Sequence, residues 1–164
     1  MKYQKLVKEV EGVGKLKLSE QENFYRDVLN ESSNDLEVMV AATFYLGMAY
    51  YYEGNFNKAK EIIEPIILQY QSMPFVRELI SAFNLMGVML YYDGANVSSR
   101  YYYEKALQIA MEHDDVGHYC YEYNNISITY EKQEKYEEAL DSILKAKEYM
   151  PCCVEDMGAY VYLN

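Results

Sequence analysis

The sequence has no tryptophan, three prolines, eight glycines and three cysteines among its 164 residues. So few helix-breaking residues favour long helices over an arrangement of many short strands. The three cysteines, Cys120, Cys152 and Cys153, are too few for a disulfide framework, and the two adjacent ones would make a strained pair. We therefore expect reduced thiols in a cytoplasmic protein.

Basic residues are also scarce, since 15 Lys and Arg stand against 26 Asp and Glu, which gives a formal net charge of −11. A chain this acidic repels nucleic-acid phosphates and anionic lipid headgroups, so the sequence predicts neither a nucleic-acid partner nor a membrane-surface partner. The most apolar stretch, Val38 to Tyr52, has about 15 residues, which is short of the roughly 20 that a membrane span needs. The N-terminal segment lacks the continuous apolar core of a signal peptide.

Motifs of enzymatic chemistry are missing as well. The sequence has no Gly-rich phosphate loop, no G-x-S-x-G elbow and no H-E-x-x-H pair. His113, His118 and Cys120 lie near Asp114 and Asp115, but this group straddles a predicted turn, where an aspartate is better explained as a helix cap. The sequence therefore predicts a non-catalytic chain without a metal or a cofactor.

Three segments of the chain repeat one another. They begin at Thr43, Phe83 and Tyr123, and both offsets (83 − 43 and 123 − 83) equal 40 residues. Small or turn-forming residues recur at matching places, namely Gly47, Gly87 and Ser127, then Gly54, Gly94 and Glu134, then Ala59, Ser99 and Ala139. Apolar residues at helical spacing on both sides of the turn predict an antiparallel helical hairpin in each copy. One hairpin cannot bury both of its faces, so the copies are expected to stack.

This pattern resembles the tetratricopeptide repeat (TPR) family, whose order is aromatic, Leu-Gly, Tyr, turn, aromatic, Ala, aromatic, Ala and Pro. The third copy follows it at Tyr123, Ile126, Ser127, Tyr130, Tyr136, Ala139, Ile143, Ala146 and Pro151. The first copy departs from it at Ile66, and the second departs at Asn96 and Ser99. The period exceeds the family's usual value of about 34 residues. The 40-residue period resembles that of the longer TPR repeats found in bacterial sensory and regulatory proteins.

The resemblance implies an all-α superhelix of stacked antiparallel helical hairpins. Residues 1–34 are expected to form N-terminal capping helices, with capping boxes at Ser19 with Glu22 and at Asn34 with Glu37. Residues 35–150 would hold three repeats, at about 35–73, 74–113 and 114–150. Residues 151–164 would be the first helix of a fourth repeat that the end of the chain truncates. We therefore expect the N-terminal piece of a longer protein.

In stacked hairpins of this kind the first helices line a groove. The predicted peptide-binding groove comprises Phe44, Met48, Tyr51, Tyr52, Asn84, Val88, Tyr91, Tyr92, Tyr121, Asn124, Asn125, Ile128, Lys132 and Asn164. Asparagine is a poor helix former, so its recurrence in this groove predicts amides that bind an extended peptide backbone or, alternatively, bridge neighbouring helices. Because Lys132 is the main basic candidate, a neutral, apolar or basic ligand is expected rather than an acidic one.

We therefore expect a non-catalytic, protein- or peptide-binding TPR domain from the N-terminal part of a bacterial signalling or regulatory protein. The long repeats resemble those associated with diguanylate cyclases and sensor kinases. The alternatives are a peptide-sensing domain of a transcription regulator and a purely structural dimerisation scaffold. The truncated end, Met157 to Leu163, would expose apolar side chains, which predicts a homodimer through this end.

Overall fold

A computed structural model of the chain describes residues 2–153. Across this range the backbone forms eight α-helices, three short 3-10 helices and no strand. The α-helices are α1 (Tyr3–Val13), α2 (Leu18–Glu31), α3 (Leu36–Tyr52), α4 (Phe56–Leu68), α5 (Arg77–Tyr92), α6 (Asn96–Glu112), α7 (Tyr119–Glu131) and α8 (Tyr136–Tyr149). The predicted all-α class is confirmed. None of the helices in residues 2–153 combines the length and the apolar character that a bilayer crossing requires.

The chain divides into two compact units, residues 1–82 and residues 83–164, and the boundary falls within α5. In unit 1, α3 packs against α1, α2 and α4. In unit 2, α7 packs against both α6 and α8. Helices that are neighbours in sequence therefore pack as pairs within each unit, as the hairpin pattern predicts. Asn164 and the rest of the predicted fourth copy lie outside the described residues.

The period seen in the sequence recurs in the backbone. The helices α4, α6 and α8 begin at positions 56, 96 and 136, so both offsets (96 − 56 and 136 − 96) are again 40 residues. The turns before them hold a left-handed residue at the same spacing, with φ of 77° at Gly54, 78° at Gly94 and 58° at Glu134. Glycine adopts this region without steric cost, whereas a residue with a Cβ does not. The third copy thus keeps the turn with a strained glutamate.

Small residues allow the paired helices to approach closely. A Cβ at Gly47 would overlap the side chain of Ile63 within unit 1. A Cβ at Gly87 would lie 2.6 Å from the ring of Tyr103 within unit 2. The hydroxyl of Ser99 donates to the carbonyl oxygen of Gly87 at 2.8 Å, which fixes the same contact by a buried hydrogen bond. The glycines that recur at matching places in the first two copies therefore mark close helix contacts in both units.

The helix starts differ from the predicted capping boxes by one or two residues. At α2 the carboxylate of Glu20 accepts from the backbone N–H of Lys17, so Ser19 lies inside the helix instead of capping it. At α3 the carboxylate of Asp35, rather than Asn34, caps the first turn. Asp and Asn are equally good caps, so the sequence alone did not distinguish the two neighbours.

The exposed face of α8 also differs from the prediction. Ile143 occupies a position of the TPR pattern, which predicts packing within its hairpin, yet this residue is 40% exposed. Ser142 and Ala146 are buried instead. The contact face of α8 is therefore rotated towards these two small residues, which fit a close helix pair better than a branched side chain does.

The cysteines contradict the expectation of three reduced thiols. Cys120, in the first turn of α7, forms a disulfide with Cys153, which follows α8. Their Cα atoms are 6.2 Å apart, within the range of ordinary disulfides. The antiparallel hairpin brings together two residues that are 33 apart in sequence. Cys152 remains a free and exposed thiol.

Candidate functional site

A cleft of about 780 Å³ lies within unit 2. Its lining residues are Val88, Tyr91 and Tyr92 of α5, Tyr103 of α6, Asn125, Ile128 and Glu131 of α7, Lys132 and Glu134 of the next turn, and Tyr136 of α8. Six of the predicted groove residues are therefore brought together here, namely Val88, Tyr91, Tyr92, Asn125, Ile128 and Lys132.

Helical spacing explains how single helices contribute several residues to the cleft. Val88 and Tyr91 are three residues apart on α5, and Asn125 and Ile128 are three residues apart on α7. Residues at this spacing lie one turn apart on the same face of a helix. The left-handed turn at Glu134 then reverses the chain and places its side chain beside the first residue of α8. The cleft therefore combines six aromatic or apolar side chains with four polar or charged ones, and ligand-binding clefts likewise use placed polar groups to orient a ligand.

Asn125 is the unusual polar group of the cleft. Its side chain is only 9% exposed, and its Nδ2 has no hydrogen-bond partner within residues 2–153. A buried donor without an acceptor costs about 1–3 kcal/mol. Nδ2 is closed off from solvent, so a ligand carbonyl oxygen in the cleft would satisfy this donor once the side-chain amide rotates towards it.

Asn84 has a different role from the one expected of a groove residue. It is 4% exposed, and its Nδ2 lies 2.9 Å from both carboxylate oxygens of Glu122, which is fully buried. Burial raises the pKa of Glu122 to about 8, while the hydrogen bond from Asn84 acts in the opposite direction. Asn84 therefore bridges α5 and α7, which is the alternative that the sequence left open. Asn124 is half-buried, and its backbone carbonyl accepts from Ser127.

The predicted groove residues of α3 do not form an open surface. Phe44 and Met48 are each 3% exposed, Tyr51 is 9% exposed, and Tyr52 is 57% exposed. Because α3 packs against three helices of unit 1, most of its sides are core. A ligand does not reach Phe44 or Met48 without a rearrangement of the unit. Tyr121 of α7 is half-buried and does not line the cleft.

Unit 1 contains a buried polar cluster that sequence reasoning missed. Glu78 is 5% exposed and accepts a hydrogen bond from Tyr3 and another from Tyr45, at 2.8 Å each. The pKa of each phenol is raised above its ordinary value, mainly by burial and secondarily by the negative charge of Glu78. The two tyrosines lie 75 and 33 residues from Glu78 in sequence, so no local motif announces the cluster. All its hydrogen bonds are internal, which suits a structural role.

The residues weighed as metal ligands are engaged in other contacts. His118 is fully buried, and its Nδ1 lies 3.1 Å from a carboxylate oxygen of Asp115. Cys120 belongs to the disulfide with Cys153. Within residues 2–153, no three His, Cys, Asp or Glu side chains come together in an arrangement that would hold a metal.

Over residues 2–153 the geometry defines a protein of paired α-helices with a cleft in unit 2 that four tyrosines line. Its fold is similar to the crystal structure of BtubC (BKLC) from P. vanneervenii, with a TM-score of 0.64 and 18% identity over 88% of this chain. The matched region covers 57% of that structure's chain, so the present chain spans a little over half of its length. At this identity the likeness concerns the fold alone. No family model matches the chain, and no curated protein matches it in sequence.

Proposed function

We propose that this chain is a non-catalytic interaction domain that binds an extended peptide segment of a partner protein in the cleft of unit 2. The observation that carries the proposal is the buried Asn125 amide, whose Nδ2 has no acceptor within residues 2–153. A peptide carbonyl is the natural acceptor for such a donor. The tyrosines beside it supply large contact area at low entropic cost, as binding surfaces do.

The placement of the titratable groups supports a non-catalytic role. A catalytic acid or base must come within hydrogen-bond reach of its substrate. Glu122 has a raised pKa, but it is fully buried and its oxygens are occupied by Asn84. The charged residues that line the cleft, Glu131, Lys132 and Glu134, are exposed to solvent. Binding, rather than proton transfer, is the function that this arrangement serves best.

The wider setting of the domain is proposed from the repeat. The 40-residue period and its resemblance to long TPR arrays support a TPR domain of a bacterial signalling or regulatory protein, such as a diguanylate cyclase or a sensor kinase. A peptide sensor of a transcription regulator and a structural scaffold remain the alternatives. The full-length gene sequence distinguishes these settings, because the cyclase or kinase setting alone predicts a catalytic domain after residue 164.

The peptide proposal is tested by titrating the ¹⁵N-labelled chain with an array of blocked peptides and following its side-chain amide signals by NMR. Peptides that bind in the cleft are expected to shift the Asn125 signals. The N125A variant should lose at least about tenfold in affinity, the usual scale for one buried hydrogen bond. The matched control is N57A, because Asn57 is exposed on α4 in unit 1. Binding that is equal in N125A and N57A would overturn the proposal.

We further propose that the chain forms a homodimer through the outer face of α8. The end predicted for this contact, Met157 to Leu163, lies outside the described residues. On α8 itself, Leu140 is 57% exposed and Leu144 is 56% exposed. They are four residues apart and lie on one face. An apolar stripe of this kind, repeated on a second copy, makes a self-complementary surface.

A further inference from the structure

The cleft of unit 2 presents aromatic rings together with carboxylates. Four tyrosines contribute to its walls, and Tyr91 and Tyr92 are packed edge to face with ring centroids 6.0 Å apart. The face of an aromatic ring attracts a cation, and a ring beside a carboxylate attracts it more strongly. Glu131 and Glu134 supply two negative charges against one positive charge from Lys132. The chain as a whole carries −11, which adds to the attraction for a cation.

Glu134 occupies a position where a glutamate has a steric cost. The corresponding turns of the other two copies have Gly54 and Gly94 in the same left-handed conformation. A residue that is strained against its backbone preference is often kept for its side chain. Here the strained residue is the one that brings a second carboxylate to the rim of the cleft. The first and second copies have no side chain at this place.

Asn125 sets the orientation of a ligand that uses these groups. Asn125 and Glu131 are six residues apart on α7, a rise of about 9 Å along the helix axis. This separation is comparable to that between a peptide carbonyl and the charged end of a long side chain near it. Because Asn125, Glu131 and Glu134 all line the cleft, a peptide carbonyl held by Asn125 would let that charged end approach the two carboxylates.

We propose that the cleft binds a lysine or arginine side chain of the peptide, held between its tyrosine rings and the carboxylates of Glu131 and Glu134, while Asn125 donates to the peptide backbone. This assignment rests on the proposed peptide-binding function and adds the chemical class of the residue that is recognised. Arginine is the better match, because its planar group stacks on rings and pairs with two carboxylate oxygens at once.

The test compares two blocked pentapeptides, each with four alanines and either arginine or citrulline at the centre. Citrulline has the shape of arginine without its charge. The arginine peptide should bind the native chain about tenfold more tightly than the citrulline peptide, a preference that salt weakens. In the variant E131Q/E134Q the two peptides should bind equally, at the affinity of the citrulline peptide for the native chain. The variant E61Q/E64Q removes the same charge from α4 in unit 1 and should keep the preference.

Three outcomes separate this proposal from the peptide-binding function. If both peptides shift the Asn125 amide signals with equal affinity, the peptide function stands and the cation site is wrong. A preference for arginine that survives in E131Q/E134Q places the cation elsewhere and overturns the assignment. If no peptide shifts the Asn125 amide signals, the peptide function fails. The cation site is then tested alone by titrating the chain separately with methylguanidinium and with neutral methylurea. Shifts of the cleft tyrosine signals by methylguanidinium alone, lost in E131Q/E134Q, support it, whereas equal effects of the two compounds overturn it.

Discussion

Asn84 of α5 donates through Nδ2 to both carboxylate oxygens of Glu122 of α7, at 2.9 Å each. Asn125 lies three residues after Glu122 on α7. It is buried to a degree similar to that of Asn84, yet its Nδ2 has no acceptor within residues 2–153. The same side-chain type thus serves two purposes on adjacent helices of unit 2. One amide joins the helices, and the other has no partner in the described part of the chain.

The two asparagines should respond differently to substitution by alanine. N84A leaves the buried Glu122 without its donor, so we expect the free energy of unfolding to fall by about 1–3 kcal/mol. N125A removes a buried donor that has no partner in the free protein, and relief of its cost of about 1–3 kcal/mol offsets the lost packing, so its unfolding free energy should fall less than that of N84A. Urea denaturation of both variants measures the contrast. A larger loss in N125A than in N84A would contradict the assignment of the two roles.

Glu122 predicts a dependence of stability on pH. Its pKa is raised from 4.5 to about 8 in the folded chain because the carboxyl is fully buried. The folded state therefore holds a proton that the unfolded state has released, so the unfolding free energy should fall as the pH rises between these two values. The unfolding free energy contributed by Glu122 should fall by at most about 1.4 kcal/mol per pH unit. This contribution is fully present below the pKa that Glu122 has in the unfolded chain.

The variant E122Q isolates this contribution, because glutamine has the shape of the protonated acid and does not titrate. As the pH rises from about 5 to 8, the unfolding free energy of the native chain should fall relative to that of E122Q. The other titratable groups are common to both proteins and cancel in this difference. A difference that stays constant with pH would show that Glu122 titrates at its ordinary value.

The repeat and the hairpins could be predicted from the sequence because local constraints determine them. Gly47 and Gly87 mark the places where two helices touch, and the turn residues Gly54 and Gly94 mark where the chain reverses. These constraints lie within one copy and recur at a fixed spacing. The period of 40 residues therefore gave the class of fold and the order of its helices.

The faces of the helices were harder to predict. Val38 to Tyr52 is apolar on almost every side, so its sequence has no period that assigns one face to a groove, and the structure buries Phe44 and Met48. The pairing of Asn84 with Glu122 depends on which sides of α5 and α7 meet, a property that neither helix encodes alone. Sequence patterns of a single helix carry no information about such contacts.

The left-handed turn of the third hairpin gives a prediction of stability. Replacing Glu134 by glycine relieves a cost of about 1–2 kcal/mol. It adds a backbone-entropy cost of about 0.5–1 kcal/mol, so a net gain of up to about 1.5 kcal/mol in unfolding free energy is expected. The control is G94A, because a Cβ at Gly94 meets no atom within 4 Å and so reports the backbone cost alone. G94A should destabilise the chain, and a stabilised G94A would contradict the argument.

The disulfide between Cys120 and Cys153 should contribute measurably to the stability of unit 2. It closes a sequence separation of 33 residues, and the loss of loop entropy in the unfolded chain then corresponds to about 3–4 kcal/mol. The variant C120S, or treatment with a dithiol reductant, should lower the unfolding free energy by an amount on this scale. C152S keeps the bond and is the matched control. Equal stability of C120S and C152S under oxidising conditions would contradict the pairing.

A symmetry in the sequence of α8 supports the proposed self-association through this helix. In an antiparallel pair of α8 helices with a two-fold axis level with residue 142, positions that sum to 284 face each other. Leu140 then meets Leu144 of the copy (140 + 144 = 284), and the exposed Glu137 meets the exposed Lys147 (137 + 147 = 284). Opposite charges flank an apolar centre in this arrangement, as in specific interfaces.

We therefore expect sedimentation velocity to show a dimer whose population rises with protein concentration. The variant K147E places like charges opposite each other twice per dimer, because the axis repeats each contact, and it should shift the chain to the monomer. Adding E137K to K147E restores opposite charges and should restore the dimer, whereas a contact made by another surface would not recover. L144E should abolish association, since it puts a charge in the apolar centre. A native chain that sediments as a monomer at every concentration, or a double variant no better than K147E, would contradict this arrangement.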